Sequence, residues 1–380
     1  MKKNILFLLL LAATTSATAA YNGRVFVDKN SNGQFDRGEK TLGGIKVSDG
    51  LNVTETAKDG TYTLPGHARQ RFIFITTPSG YKTLNKHYHK IDSRTNGYDF
   101  GLLTYHPGIG KDGSHQYVHV SDTEIFNTEG NEAWVRNIRE YAANENAAFI
   151  IHTGDICYEN GMKKHIKLMN TENMNVPVFY CIGNHDLVKG KYGEEVFENN
   201  YGPVYYSFDV ANVHYIVTPM PGGDHKPGYT RLDVCRWLKN DLAHIKPGTP
   251  IVVFNHDILT YGDEFIYKGS ETESIDLNKH NLKAWVYGHW HINHVKKQGS
   301  VYTVCTSALD KGGIIFTDRA TVDKVEKMKV CTCLNPLHTA LAIYGCLLGY
   351  TLISEEMKNP LLKNMVEVKC ILLRQLTMTE

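Results

Sequence analysis

The sequence predicts an α/β domain preceded by a small all-β sandwich. Three observations carry that expectation. Residues 21–105 hold several short strand candidates divided by Gly and Asp turns. From about residue 106, apolar strands alternate with amphipathic helices. In that second stretch, strand after strand ends in a polar motif, which a requirement for a core alone does not predict. A chain of 380 residues exceeds one ordinary core, so two or three domains are expected. Its 42% hydrophobic and 21% charged residues are those of a globular protein. A net charge of +1 supplies no bulk attraction to nucleic acid or membrane surfaces, and no run of Lys and Arg marks a nucleic-acid track.

The first 20 residues read as a secretory signal peptide. Lys2 and Lys3 give the charged start, Ile5 to Ala13 the apolar run, and Ala17-Thr18-Ala19 the small residues before a cut after Ala19 or Ala20. The alternative is a short membrane anchor, but the run is too short for a stable span. The mature chain is therefore expected to be exported, to a periplasmic or extracellular place. Export permits disulfides, yet the eight Cys show no tight framework of spacings and support no pairing.

In residues 21–105, strands are expected at Gly23–Val27, Gly44–Ser48, Thr61–Leu64 and Arg71–Ile75, with a turn at Asp59-Gly60. Close spacing of such strands suggests a small sandwich. Between the first two lies a loop with oxygen donors at Asp28, Asn30, Asn32, Asp36 and Glu39 and a Gly at its sixth position. That is the spacing of a calcium loop, in which a Gly lets the chain turn around the ion. Its strand-like flanks, with Gly43–Val47 and Lys58–Tyr62, resemble the calcium loops of bacterial SdrD B-like surface modules. The alternative is a metal-free Asn/Gly/Asp turn.

In residues 106–318, Tyr117–Val120 is an apolar strand that runs into Ser121-Asp122-Thr123-Glu124. Glu132 to Ala143 has helical spacing. Ala147–Ile151 leads to Gly154-Asp155-Ile156-Cys157-Tyr158, and Val176–Tyr180 to Gly183-Asn184-His185-Asp186. Leu232 to Ile245 is a second amphipathic helix; Pro250–Phe254 then meets Asn255-His256-Asp257, and Trp285–Tyr287 meets Gly288-His289-Trp290-His291. In open α/β folds, sites form outside the carboxyl ends of strands, so donors far apart in sequence can meet on one rim. Asp, Asn, Tyr and His are the donors that two adjacent metal ions need.

These ordered motifs, over residues 115–315, resemble the calcineurin-like metallophosphoesterases, with Gly-Asn-His-Asp and Gly-His-Trp-His the most specific parts. The resemblance implies two packed mixed sheets flanked by helices. It implies one ion held by Asp122, Asp155 and His291, and another held by Asp155, Asn184, His256 and His289, with Asp155 shared. Two divalent or mixed-valence ions (Mn, Fe or Zn) would share a hydroxide that attacks a small phosphorylated substrate. His185 would protonate the leaving oxygen, with Asp186 orienting its ring.

The first motif departs from the usual pattern, with Glu124 where His is common. Glu124 ligates the first ion, or Tyr158 does so, as the Gly-Asp-x-x-Tyr segment resembles that of purple acid phosphatases, or neither does and water takes the place. Asn255 and Asp257 are expected to orient His256. His152 and His214 read as structural, whereas His165, His225, His280 and His294 are candidates for the cleft. Gly222–Tyr229 and Tyr261–Glu273 are candidate cleft walls. Past Gly313 the resemblance fades. Residues 319–380 form a tail of uncertain structure, in which Leu337–Ile353 could be a buried helix or a marginal span. A non-catalytic surface module that binds phosphorylated glycan or cell-wall polymer is the alternative function; the retained Asn184-His185-Asp186 speaks against it.

Overall fold

The computed structural model describes residues 20–308, apart from 67, 68, 70, 85, 96 and 126–130, together with 315–317. The expected signal peptide, the tail and Leu337–Ile353 lie outside the described residues. Among the described residues, no helix is long and apolar enough to cross a membrane.

The first eight strands are β1 (Tyr21–Val27), β2 (Lys46–Ser48), β3 (Val53–Glu55), β4 (Thr61–Leu64), β5 (Phe72–Ile75), β6 (Tyr81–Thr83), β7 (Tyr88–Lys90) and β8 (Phe100–Thr104). They make a sandwich of two four-stranded sheets, ordered β4-β1-β8-β6 and β3-β2-β5-β7. Val25, Val47, Ile73, Ile75, Phe100 and Leu102 fill the space between them. The expected strand positions hold to within one or two residues at their ends.

After β9 (Tyr117–Val120) come α1 (Asn131–Asn144), β10 (Phe149–His152), α2 (Glu159–Leu168), α3 (Thr171–Met174), β11 (Val178–Tyr180) and α4 (Glu195–Tyr201). Then follow β12 (Tyr206–Val210), β13 (Val213–Val217), α5 (Arg231–Ala243), β14 (Ile251–Phe254), β15 (Ile266–Lys268) and β16 (Ser274–Asp276). The last elements are the 3-10 turn Leu277–His280, β17 (Leu282–Tyr287), β18 (His294–Gln298), β19 (Val301–Cys305) and β20 (Ile315–Thr317). Two mixed sheets result, β11-β10-β9-β20 and β12-β13-β14-β17-β19-β18. In them β9, β10 and β11 run parallel, as do β13, β14, β17 and β19.

The two sheets pack face to face through an aromatic layer. Phe149 of β10 meets Tyr215 of β13 at 4.9 Å, and Tyr117 of β9 meets Phe254 of β14 at 5.7 Å between ring centroids. Every residue of β9, β10, β13 and β14 is buried, which explains why these strands read as continuous apolar runs rather than alternating ones. Helix α1 buries Val135, Ile138 and Ala142 on one stripe, and α5 starts at a capping box between Thr230 and Asp233.

The β-sandwich is fused to this layer. Successive side chains of β5 alternate: Ile73 and Ile75 face the sandwich core, while Phe72 and Phe74 join the core of the larger domain. Tyr88 of β7 joins them there. Polar contacts close the seam: Lys46 pairs with Asp209 at 3.0 Å, and Thr76 Oγ1 meets Ser207 Oγ at 2.9 Å.

Candidate active site

The carboxyl ends of the parallel strands in both sheets converge on one rim. Asp122 follows β9, Asp155 follows β10, Asn184 follows β11, His256 follows β14, and His289 and His291 follow β17. The chain must turn sharply as it leaves each strand. Among the described residues, eleven non-Gly residues have positive φ, and six of them are Asp122, Glu124, Asp155, Cys157, His289 and His291. A side chain in that region is strained, and such strain gathers where a fold aims functional groups. Gly183 relieves the crowding at one point: a Cβ there would lie 2.1 Å from Asp155 Oδ1.

Side chains meet closely at this rim. His256 is fully buried, and its Nδ1 donates to the Thr153 carbonyl at 2.7 Å. Its Nε2 therefore faces Asp155 Oδ2 at 3.0 Å and Asn184 Oδ1 at 3.2 Å. Asp155, His256 and His289 each offer a ligand atom, all within 4.8 Å of one another. On the other flank, His291 Nε2 lies 3.3 Å from Asp122 Oδ1 and 3.6 Å from Glu124 Oε1. Asp122 also accepts from the His289 backbone N–H at 3.0 Å, which ties the first and last motifs together. Thus Asp122, Glu124, Asp155, Asn184, His256, His289 and His291 come together. Tyr158 is 42% exposed and packs its ring against His185, with centroids 5.6 Å apart.

The electrostatics suit cations. Burial pushes the Asp122 carboxyl above the usual carboxylate range, partly offset by His256. Burial would lower His256, but Asp155 and Asp122 hold its imidazolium up, to about 9. Burial would raise Asp155, but His256 takes it below the usual range. Among the described residues, the ion-pair partners of Asp122 and Asp155 are imidazoles, not Lys or Arg. A buried group of carboxylates without a permanent cationic partner, and an imidazole fixed by a carbonyl so that Nε2 points inward, fit metal ions of N/O preference.

The Asp186 carboxylate of the Asn184-His185-Asp186 turn does not reach the His185 ring, contrary to expectation. Asp186 is fully buried; its Oδ1 accepts from the N–H groups of Ile156 and Cys157, each at 2.9 Å, and its Oδ2 from that of Gly183 at 2.9 Å. It braces the Asp155 loop against the Asn184 loop. Burial raises its carboxyl to about 6. The partner of His185 is instead Asp224, whose Oδ2 lies 2.9 Å from Nδ1. Burial would lower His185, but its hydrogen bond to Asp224 and the Asp155 charge raise it. Asp224 is held in turn, its N–H donating to the Asn184 carbonyl at 3.0 Å. Sequence reasoning missed it; the signal was the Gly222-Gly223-Asp224 turn, since a Cβ on Gly223 would lie 2.4 Å from the Asn184 carbonyl oxygen.

Other expectations need correction. Asn255 and Asp257 do not orient the His256 ring. Asn255 donates to the Thr218 hydroxyl at 2.8 Å, and Asp257 accepts from Trp290 Nε1 at 3.0 Å. His165 does not line the cleft but is buried, with Nδ1 3.0 Å from the Tyr201 hydroxyl. His225 is exposed, and His280 and His294 are half-buried. His152 is buried and bonds Thr123 at 2.9 Å. Tyr261 stacks on Trp290 at 5.8 Å on the rim. Cys157, Cys181, Cys235 and Cys305 are buried free thiols.

In the sandwich, the loop after β1 is closed by its own donors. Asp28 accepts from the Gly33 N–H at 2.7 Å, Asp36 from the side-chain amides of Asn30 and Asn32 at 2.7 and 2.8 Å, and Glu39 from the N–H groups of Lys29 and Asp36 at 2.8 and 2.9 Å.

Comparison with known proteins places these features. The curated D-mannonate oxidoreductase of Thermotoga maritima is 70% identical over 54 residues, 14% of this chain and 10% of that protein. The chain thus spans about a tenth of that relative's length. Among solved structures, a dimetal phosphatase of Danio rerio aligns over 56% of this chain and 93% of its own, at 9% identity and a TM-score of 0.39. The purple acid phosphatase PPD1 of yellow lupin (Lupinus luteus) aligns over 66% of this chain and 54% of its own, at 15% identity and a TM-score of 0.34. Residues 115–293 match the calcineurin-like phosphoesterase family, and residues 29–104 match the N-terminal region of calcineurin-like phosphoesterase. The chain therefore carries a calcineurin-like phosphoesterase domain with that family's own N-terminal domain ahead of it.

Proposed function

We propose that this chain is an exported, two-metal phosphoesterase acting on a small phosphorylated substrate. The observation that carries the reading is the convergence of seven donor side chains from both sheets on one rim, with Asp122, Asp155 and His256 buried and the other four half-buried. Asp122, Glu124, Asp155 and His291 would hold one ion, and Asp155, Asn184, His256 and His289 the other. Divalent ions held there (Mn, Fe or Zn) would supply Lewis-acid activation of a water and offset the charge of the phosphoryl group.

The chain's own residues supply the rest. The Thr153 carbonyl fixes the His256 ring at 2.7 Å, and the Asn184 side chain abuts its Nε2. His185 stands at the cleft mouth, half-exposed, where a leaving oxygen departs. With Nδ1 held by Asp224, the Nε2 proton is the one directed to that oxygen. Asp224 both orients the ring and favours its protonated form. Residues 2–20 support export. Asp28, Asn30, Asn32, Asp36 and Glu39 are proposed as a calcium loop; calorimetric titration of the wild type against Asp28→Ala tests it, and equal heats would remove it.

The test of the main reading is a panel of phosphate monoesters, diesters and pyrophosphates, run with measured metal content. Turnover by the wild type, lost in Asp155→Asn together with bound metal, is expected. Retained turnover in that variant would refute the assignment. A wild type that binds metal yet turns over no phosphoester would favour the binding module instead.

A further inference from the structure

We propose that the N-terminal domain positions the leaving-group acid: Arg71 and Arg69 fix the loop that carries Asp224. The inference rests on the reading of His185 as proton donor, and it adds a role for the domain that this reading leaves idle. The path consists of direct contacts. Arg71, at the start of β5, donates to Glu198 Oε1 and Glu194 Oε1, each at 2.7 Å. Glu194 is fully buried and is the acceptor for the Gly228 N–H, with its Oε2 at 2.8 Å. Arg69 takes the other side of the same peptide stretch, donating to the Gly228 carbonyl at 3.1 Å and pairing with Asp233 at 2.8 Å. Gly228 thus has both its N–H and its carbonyl held by groups that depend on the N-terminal domain.

The loop is short, and although residues 223–226 are exposed its backbone is held at several points between that anchor and the site. The Gly193 N–H donates to the Lys226 carbonyl at 2.9 Å, and a Cβ on Gly193 would lie 2.9 Å from the His225 carbonyl oxygen. At its other end, Asp224 bonds the Asn184 carbonyl and the His185 ring. A shift at Gly228 is therefore passed along a few residues of confined backbone to the carboxylate on His185. Two buried glutamates cannot stay beside each other without the guanidinium, so the anchor is one unit: burial raises Glu198 to about 7 even with Arg71 beside it. Arg71 also stacks on Tyr192, 4.5 Å from its ring centre, which fixes the plane of the fork.

The test uses the whole chain bearing Arg71→Lys. Lysine keeps the charge but lacks the planar fork that reaches both glutamates. The control is Lys46→Met, which removes the Lys46–Asp209 pair of the same seam away from the loop. Two readouts are taken. In metal-free protein, amide hydrogen exchange over residues 222–229 is expected to rise about tenfold in Arg71→Lys and to stay level in Lys46→Met. In metal-loaded protein, kcat/KM is compared for an aryl ester with an acidic phenol and for an alkyl ester. The aryl oxygen leaves without a proton and the alkyl oxygen does not, so the alkyl rate is expected to fall about tenfold while the aryl rate stays within about twofold. Unchanged exchange in the loop, or equal loss on both esters, overturns the proposal. If Arg71→Lys does not fold, Arg69→Ala carries the same test, because its side chain is half-exposed. If the wild type hydrolyses neither ester, the phosphoesterase reading fails, while the exchange measurement still decides whether Arg71 holds the loop.

Discussion

Asp224 and Asp186 show how neighbours in sequence and neighbours in space trade roles. Asp186 adjoins His185 but points into the core, where three backbone N–H groups use it as their acceptor. Asp224 lies on a separate loop yet reaches the His185 ring at 2.9 Å. The two carboxylates should therefore fail differently. Asp224→Asn should retain the fold and lower the rate on alkyl esters by about 10- to 100-fold, a large part of what a positioned general acid supplies. Steady-state rates on an ester series check this, and an equal fall for aryl esters would count against it. Asp186→Ala should instead lower stability by about 3 kcal/mol or more, since it strands three buried donors. Urea denaturation measures that loss; a change below about 1 kcal/mol would mean that water replaces the carboxylate. The convergence of the rim donors was legible in the sequence because each follows an apolar strand and is a ligand by type. Asp224 was not, because a Gly-Gly-Asp turn reveals its conformation but not the loop against which it closes.

Elements explain why the donors point inward at all. Strands β9, β10, β14 and β17 end at the rim, and beyond β9, β10 and β17 the chain adopts left-handed backbone at Asp122, Asp155 and His289. The strands were legible from their unbroken apolar runs, and α1 from its 3.6-residue period. The left-handed turns were not, since Asp and His, though enriched there among non-Gly residues, adopt that backbone far less often than Gly. Nor was the double duty of β5 legible. Phe72-Ile73-Phe74-Ile75 shows no polar alternation, because both of its faces meet a core. The turns make a sharp prediction at Gly183, where the Asp155 side chain and backbone occupy the place of a Cβ. Gly183→Ala should displace the Asp155 carboxylate and weaken metal binding by about 10- to 100-fold, the range seen when ligand support is lost. Metal titration of the variant against the wild type reads this directly. Unchanged affinity would show that the loop can yield without moving Asp155.

At the scale of the whole molecule, the seam between sandwich and α/β layers holds an ion cluster beside its aromatic packing. His214 of β13 is fully buried between Asp209 at 2.6 Å and Asp241 at 2.8 Å, and Lys46 of the sandwich pairs with Asp209 from the other side. Burial would lower His214, but Asp241 and Asp209 raise it to about 9. Burial would raise Asp209, but its bonds to His214 and Lys46 take it below the usual range. The signs then set a pH window. An unfolded His titrates near 6.5, so the imidazolium's contribution is complete below about that pH and is lost as pH climbs through about 9. The Asp209 contribution is present above an unfolded value near 3.9 and is lost as pH falls through its lowered folded value. This cluster therefore stabilises the seam most between about pH 4 and 6.5, and roughly 3 kcal/mol should be lost between about pH 6.5 and 9.5. Urea midpoints across that range test it, with His214→Gln as the reference. The variant should be weaker at pH 6.5, since Asp241 and Asp209 lose their shared cation, and should show a flatter decline above it. A wild-type midpoint that does not move between pH 6.5 and 9.5 would mean that His214 is neutral in the folded chain. The seam would then rest on Phe72, Phe74 and Tyr88 rather than on the ion cluster.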